Sequence, residues 1–226
     1  MKLFDSGRYA VERAVIEDAV NNENAEVVID EPTAAVISMG KWYKCVFADE
    51  RDYTRYTERY GIRGDVCLIG APEGIAQNPC FTYAYLNPMP PLPDIISGVE
   101  IKRLAPSLAP TVLDAYHNPG GGYTVERIAG IMRSKGIFGA IANGKLAGFI
   151  GRHSDGSMGM LEVFEPFRRR GIAAALEKFL ITYVMTFGRV PVCDVFTDNP
   201  ASMALQQKLG LTKGIGYTYW ISDDEE

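Results

Sequence analysis

Ser157-Met-Gly-Met-Leu-Glu-Val-Phe164, followed four residues later by Arg168-Arg-Arg-Gly-Ile-Ala173, decides the fold of this 226-residue chain. The first stretch has the pattern of a strand, and the second opens an apolar repeat at spacings of three and four that predicts a long helix. The members of that repeat are Ile172, Leu176, Phe179, Leu180, Tyr183, Val184 and Phe187. Arginines at a helix start are unfavourable unless an anion binds there, because that end already carries partial positive charge. Phosphate is the natural anion, and Gly171 would let it approach the backbone.

Electrostatics alone support two interpretations of Arg168 to Arg170 equally, since most short charge runs are solvated turns. The spacing Arg168-x-x-Gly171-x-Ala173 favours the phosphate site, because it resembles the (Gln/Arg)-x-x-Gly-x-(Gly/Ala) signature of the GNAT superfamily of acyl-CoA-dependent N-acetyltransferases. Downstream, Asn199-Pro-Ala-Ser-Met-Ala-Leu-Gln-Gln-Lys-Leu-Gly-Leu211 is similar to that family's second cofactor motif. The resemblance covers residues 98 to 222, about the size of one small domain.

The resemblance implies an α/β (α+β) fold, with a mixed, mostly antiparallel sheet flanked by helices, the acetyltransferase fold, preceded here by a smaller α/β unit. It also implies acetyl-CoA as co-substrate, without a metal. Strand residues Leu161 to Val163 would pair with the pantetheine arm, the arginines would hold the diphosphate, and Asn199 would touch pantetheine. The implied cofactor-binding residues are Leu161, Val163, Arg168, Arg169, Arg170, Gly171, Ile172, Ala173, Asn199 and Ser202.

Three residues are the catalytic candidates. Asp194 corresponds to a strand-five acid that some amine-acetylating members use as base, and Glu162 is the second candidate base. Each could equally be a solvent-facing acid on a strand. Gln206 stands where family members commonly carry the tyrosine that protonates the leaving sulfur, which an amide cannot do. Tyr217, Tyr219 or Ser202 are alternative hydroxyls. His117 and His153 are expected to be idle.

The amino-acid composition limits the classes of protein to which the chain can belong. The hydrophobic fraction of 47% and charged fraction of 23% are those of a globular protein, and the formal charge of -5 argues against general nucleic-acid binding. Cys45, Cys67, Cys80 and Cys193 show no metal or disulfide spacing and predict buried thiols in a reducing compartment. No apolar run is long enough to cross a membrane. We therefore expect a cytoplasmic protein without a membrane partner. The composition does not decide its oligomeric state, for which a homodimer is one alternative.

Chain organisation is marked by Asn87-Pro-Met-Pro-Pro-Leu-Pro-Asp94, whose four prolines predict a semi-rigid linker rather than a helix or central strand. A polyproline ligand for a partner domain is the alternative. We predict an N-terminal α/β unit over 1–87, a linker over 88–97 and an acetyltransferase domain over 98–226. The N-terminal unit is either substrate-selecting or a degenerate half-copy of the same fold.

These patterns favour an acetyltransferase that transfers acetyl from acetyl-CoA to a primary amine of a small molecule, amino acid or peptide by direct attack in a ternary complex. The alternative is an acyl-CoA-binding sensor or scaffold with weak or no catalysis, which Gln206 motivates. A nucleotide-dependent enzyme that uses the arginine turn for ATP ranks below both, because the sequence lacks a magnesium-binding motif. Gly139-Ala-Ile-Ala-Asn-Gly-Lys145 imitates a P-loop, but Leu146 replaces the magnesium-binding Ser/Thr and no helix is predicted after it. That stretch is predicted to be a hairpin turn around Asn143 and Gly144.

Overall fold

A computed structural model of the chain describes residues 1–5, 7–21, 24–40, 43–62, 64–68, 79–117, 122–153 and 155–221, without the side chains of 64–68, 220 and 221. The helices in these ranges are α1 (Ala10–Val20), α2 (Glu50–Tyr60), α3 (Ala109–Ala115), α4 (Val125–Ser134), α5 (Ile172–Met185) and α6 (Pro200–Lys208). The strands are β1 (Glu26–Glu31), β2 (Ala34–Ser38), β3 (Tyr43–Phe47), β4 (Gly64–Leu68), β5 (Cys80–Ala84), β6 (Val99–Arg103), β7 (Ile137–Ala142), β8 (Lys145–Arg152), β9 (Met158–Val163), β10 (Val192–Phe196), β11 (Thr212–Lys213) and β12 (Tyr217–Ile221).

Two compact units divide the chain, one formed by residues 1–86 with 192–226 and the other by residues 87–191. We call them the outer-segment unit and the central unit. The break at residue 86 falls at the start of the proline-rich stretch. Residues 192–226 group with the N-terminal segment, because β10 pairs with β5 and β12 pairs with β4 and β5. The acetyltransferase domain over 98–226 was predicted without knowledge of these long-range pairings. Its bounds stay a prediction.

The outer-segment unit is built on a sheet of strand order β1-β2-β3-β4-β12-β5-β10, with β11 also paired to β5. All its pairs are antiparallel except β3 with β4. Strand alternation sends Ala35 and Ile37 of β2 toward α1, where they pack with Ile16, and sends Ala34 and Val36 to the face that α2 covers with Tyr56. Helices thus cover both faces of this sheet.

The central unit is an antiparallel sheet of order β6-β7-β8-β9 between helices. Ile137 and Phe149 belong to the core that α3 and α4 form on one face, whereas Phe138 packs its ring against Phe179 and Tyr183 of α5 on the other. The β7–β8 turn is a two-residue hairpin at Asn143 (φ 49°) and Gly144 (φ 78°), which confirms the predicted hairpin. β9 is an edge strand, and α5 begins directly beyond it along the chain.

The observed architecture confirms the predicted fold class, a mixed α+β arrangement of mostly antiparallel sheets flanked by helices. Cys45, Cys80 and Cys193 are buried, as expected, and form no disulfide among the described residues, whereas the side chain of Cys67 lies outside those residues. In the described ranges, no helix is long and apolar enough to span a membrane.

Candidate functional site

The arginine turn, residues 168–173, joins β9 to α5 through two residues in the left-handed region. Arg169 has φ 62° and Gly171 has φ 80°, and Gly171 is the residue immediately before α5. A non-glycine residue with positive φ is uncommon, so the turn at Arg169 is held by its surroundings. A Cβ added at Gly171 would approach no atom closer than 3.7 Å, so the glycine is required for its backbone angle rather than for space.

The amides that open α5 have no side-chain cap. Gly171 is the N-cap residue, no side chain bonds to the first turn, and that turn contains no acidic residue. The first intrahelical bond shown at this end runs from Ala175 N to Gly171 O over 3.0 Å. Ile172, Ala173 and Ala174 lie in the first turn, so the helix has no carbonyl four residues before them to accept from their N–H groups. These amides therefore point toward an acceptor outside the helix.

The three guanidiniums of the turn are exposed, and in the part of the chain that the structure describes none forms an ion pair. Arg168 Nε donates to the carbonyl oxygen of Val163 over 2.9 Å, which ties the turn to the end of β9. The Arg170 guanidinium lies 5.7 Å from the centre of the Phe167 ring. Three unneutralised positive charges therefore surround a helix N-terminus that is itself positive.

Strand β9 carries a bulge near its middle. The β8–β9 register shifts between Phe149 and Gly151, and Met160 has φ 52° although it is almost fully buried. A bulge changes the direction of the residues that follow it. After the shift Glu162 lies opposite Phe149, so both side chains lie on the face that α3 and α4 cover. On the outer edge of β9, no described strand of its sheet pairs with the backbone.

Glu162 is half-buried, and its Oε1 lies 3.6 Å from Nδ1 of His117, a largely exposed residue that follows α3. The sequence prediction treated His117 as idle, but the structure brings it to a candidate base. The other histidine, His153, accepts or donates at Nδ1 in a 2.7 Å bond with the Tyr123 hydroxyl. Burial raises the pKa of that Tyr123 phenol. Neither histidine is isolated from its surroundings.

Asp194 lies on β10 in the outer-segment unit, directly opposite Thr82 of β5. Thr82 Oγ1 donates to Asp194 Oδ1 over 2.5 Å, and Thr82 Oγ1 is 2.7 Å from Thr218 Oγ1 on β12. Because the Thr82 proton points to the carboxylate, the Thr218 hydroxyl donates to the Thr82 oxygen. Hydrogen bonds in such a chain polarise one another. Asp194 is therefore held by the Thr82 hydroxyl, which Thr218 supports in turn, and sequence patterns identified neither threonine.

A side chain caps the start of helix α6. Asn199 Oδ1 accepts from the backbone N–H of Ser202 over 3.0 Å, and Pro200 occupies the first turn. Gln206, on the same helix, is buried with 3% of its surface exposed, and its Oε1 has no hydrogen-bond partner among the described residues. An unsatisfied buried amide oxygen is costly, and Gln206 is therefore not an ordinary core residue.

The predicted site residues fall into two sets. Leu161, Val163 and the arginine turn lie in the central unit, where Arg168 bonds to Val163, whereas Asp194, Asn199, Ser202 and Gln206 lie in the outer-segment unit. Sequence reasoning missed Thr82, Thr218 and Glu12. Only Glu12 left a signal, because it shares the apolar stripe of α1 with Val15, Ile16 and Ala19, where a charge is out of place. The assigned roles of all these residues stay predictions.

Residues 134–221 match the family model described as FR47-like protein. No curated protein matches the chain. Among solved structures, a Drosophila protein is similar with 18% identity, covering 87% of this chain and 78% of its own, at a TM-score of 0.61. A putative GNAT-family acetyltransferase from Novosphingobium aromaticivorans shares 17% identity over 91% of this chain and 94% of its own, at a TM-score of 0.54.

A GCN5-related N-acetyltransferase from Kribbella flavida shares 12% identity, covers 96% of this chain and 95% of its own, and gives a TM-score of 0.52. At these identities the likeness concerns the fold. The fold expected from the arginine turn and from Asn199 to Leu211 is thereby confirmed: residues 134–221 match the FR47-like family model, and the chain has the fold of the GCN5-related N-acetyltransferases.

Proposed function

We propose that the protein is an N-acetyltransferase that moves an acetyl group from acetyl-CoA to the primary amine of a small molecule, amino acid or peptide. The observation that carries this proposal is the arginine turn. It combines uncapped helix amides, a left-handed glycine and three guanidiniums that have no ion-pair partner among the described residues, all at the start of α5. Such a site fits the diphosphate of coenzyme A.

The neighbouring strand supports the same donor. β9 is the edge of its sheet, so its outer N–H and C=O groups are available to an extended ligand in the manner of an added strand. The amide groups of a pantetheine arm match that requirement. Leu161 and Val163 would supply the backbone contacts, and Arg168, held at Val163 O, would place the diphosphate next to them.

In the reaction, the amine nitrogen attacks the thioester carbonyl carbon, the new C–N bond replaces the C–S bond, and the thiolate of coenzyme A departs. The amine must lose its proton, and a carboxylate base accounts for that step. Asp194 is our first candidate because its hydroxyl contacts fix its orientation, and Glu162 beside His117 is the second. Gln206 cannot protonate the thiolate but can donate an amide hydrogen bond to it.

A thiol-release assay over a panel of primary amines tests the proposal. Amine-dependent release of free coenzyme A from acetyl-CoA, with one class of amine preferred, is the expected result. Tight binding of coenzyme A with no release across the panel would instead support an acyl-CoA sensor, the function that Gln206 in place of a tyrosine favours. Absence of coenzyme A binding would remove both functions together.

A further inference from the structure

A small cavity lies within the outer-segment unit. Charged and hydroxyl side chains from one helix and four strands line it, and its volume of about 20 Å³ is roughly the space that one water molecule requires. The polar lining comes from Glu12, Lys44, Thr82, Asp194 and Thr218. A single –NH₃⁺ group is comparable in size to a water molecule. The polar lining therefore suits a small hydrogen-bonding group rather than an apolar one.

Glu12 supplies the decisive observation. Its side chain is 98% buried, since the residue has a relative exposure of 2%. Oε1 accepts from the backbone N–H of Ile215 over 2.5 Å and from that of Gly216 over 3.2 Å. Oε2, by contrast, is buried and has no partner among the described residues. A buried carboxylate oxygen without a donor is expensive to maintain, and Glu12 is among the residues that line the cavity, so a donor that reaches this oxygen would stabilise it.

The hydroxyl chain provides a second acceptor. Thr82 donates to Asp194, and Thr218 donates to Thr82, so the Thr218 oxygen keeps lone pairs that are directed away from its own proton. Together with Glu12 Oε2 and the Asp194 carboxylate, the cavity lining is rich in acceptors. A ligand with several N–H donors on one atom satisfies such a lining better than a hydroxyl ligand, which has a single proton.

Charge points to a cation. Two carboxylates, Glu12 and Asp194, face the cavity with one ammonium, Lys44, so the ionised lining carries one net negative charge. A single positive charge balances it. Apolar surface from Val15, Val46 and Val192 completes the lining and suits methylene groups next to that charge. A metal ion is a poorer match, because no group of three or more potential ligands from His, Cys, Asp and Glu occurs among the described residues.

We propose that this cavity binds the ammonium group of a primary aliphatic amine, with Glu12 Oε2 as its principal acceptor. Because Asp194 lines the same cavity, the site would hold the acceptor substrate beside its candidate base, and that part of the inference rests on the proposed acetyl transfer. Ammonium binding itself does not depend on it. Glu12 and Thr218 are binding residues in this account, and Thr82 is the positioning residue for Asp194.

Titration with n-butylamine, followed by amide NMR in the absence of acetyl-CoA, tests the site. The expected result is saturable shifts at Ile215, Gly216 and Thr218, with no such response to the neutral isostere 1-butanol or to potassium chloride at equal concentration. Glu12→Gln keeps the oxygen that Ile215 and Gly216 require but places an amide N–H₂ in the cavity. We expect it to weaken n-butylamine binding tenfold or more, about the effect of losing a hydrogen bond to a charged group.

Glu17→Gln is the matched control, since it removes an exposed carboxylate from the same helix and should leave n-butylamine binding unchanged. Thr218→Val provides a second, nearly isosteric test and should also weaken binding. Equal responses to n-butylamine and 1-butanol, no saturable shift, or undiminished binding in Glu12→Gln and Thr218→Val would overturn the site. In the thiol-release assay Glu12→Gln should raise the KM for the amine while coenzyme A binding stays intact. Butylamine binding without any acetyl transfer would retain the site and reject the enzymatic function.

Discussion

Thr82 Oγ1 and Asp194 Oδ1 are 2.5 Å apart across directly paired positions of β5 and β10, which lie 112 residues apart in the chain. The carboxylate of the candidate base is thus oriented by a residue from the N-terminal segment. A carboxylate that is fixed in this way is better suited to take a proton in a defined direction than a mobile surface acid. Its contribution to the reaction can be isolated because an asparagine preserves the contact.

Asp194→Asn is expected to lower turnover about 100-fold or more, the usual contribution of a general base, with little change in acetyl-CoA affinity. The amide oxygen still accepts from Thr82, so folding should be retained. Asp198→Asn, an exposed acid just beyond β10, is the control. Steady-state kinetics at neutral and high pH provide the measurement, and unchanged turnover at both would remove Asp194 from the mechanism.

Arg168→Ala is expected to weaken coenzyme A binding about tenfold, since a charge-assisted bond to a phosphate is lost. Binding of pantetheine, which lacks the diphosphate, should not change. Calorimetry with both ligands measures the difference, and added salt should reduce it. Arg55→Ala is the control, because Arg55 is likewise an exposed arginine but lies on α2. Equal losses for coenzyme A and pantetheine would contradict a diphosphate site.

Gln206→Leu should leave thermal stability unchanged or raise it, because the buried Oε1 has no partner to lose and a leucine removes its desolvation cost. Turnover should nevertheless fall several-fold if the Gln206 amide stabilises the departing thiolate. Thermal unfolding and thiol release measure the two effects. Gln207→Leu changes the exposed neighbour and should leave turnover unaltered. A stable Gln206→Leu variant with full turnover would show that Gln206 has no role in the reaction.

Asp49 caps α2, and its side-chain hydrogen bonds to Arg51 lower its pKa from 3.8 to about 2. Because the folded pKa is depressed, the stabilisation from the charged form is complete above the unfolded pKa and is lost as pH falls through the folded one. Asp49→Asn keeps the cap but not the charge. Urea unfolding should therefore give a larger free energy of unfolding for the wild type than for Asp49→Asn above about pH 4. That difference should vanish as pH falls toward 2. A pH-independent difference would exclude the charge as its source.

Local patterns predicted the elements of this fold closely. The hairpin at Asn143 and Gly144 forms where it was predicted, and the arginine turn begins a helix as expected. These features depend on periodicity and capping, which are encoded within a few residues of each other. The catalytic candidates were found only through family resemblance.

The structural features that the sequence did not predict depend on contacts between residues that are far apart in the chain. The Thr82 contact of Asp194, the backbone bonds of Glu12 to Ile215 and Gly216, and the bulge at Met160 each require two segments to be in register. Strand pairing has no local signature beyond alternation, so a single sequence cannot specify which strands become neighbours. The prolines marked a break in the chain near residue 87, but they carried no information on which strands pair beyond it.

The position of β12 between β4 and β5 has a consequence for biosynthesis. β4 and β5 leave the ribosome long before residues 217–221, which form β12, the strand that lies between them in the finished sheet. The two strands therefore cannot complete their pairing until β12 has been made. Until then both present unpaired edges, the usual starting point of intermolecular strand pairing. Formation of this sheet must therefore follow translation of residues 217–221, and until then the segment that carries β4 and β5 is in particular need of chaperone protection.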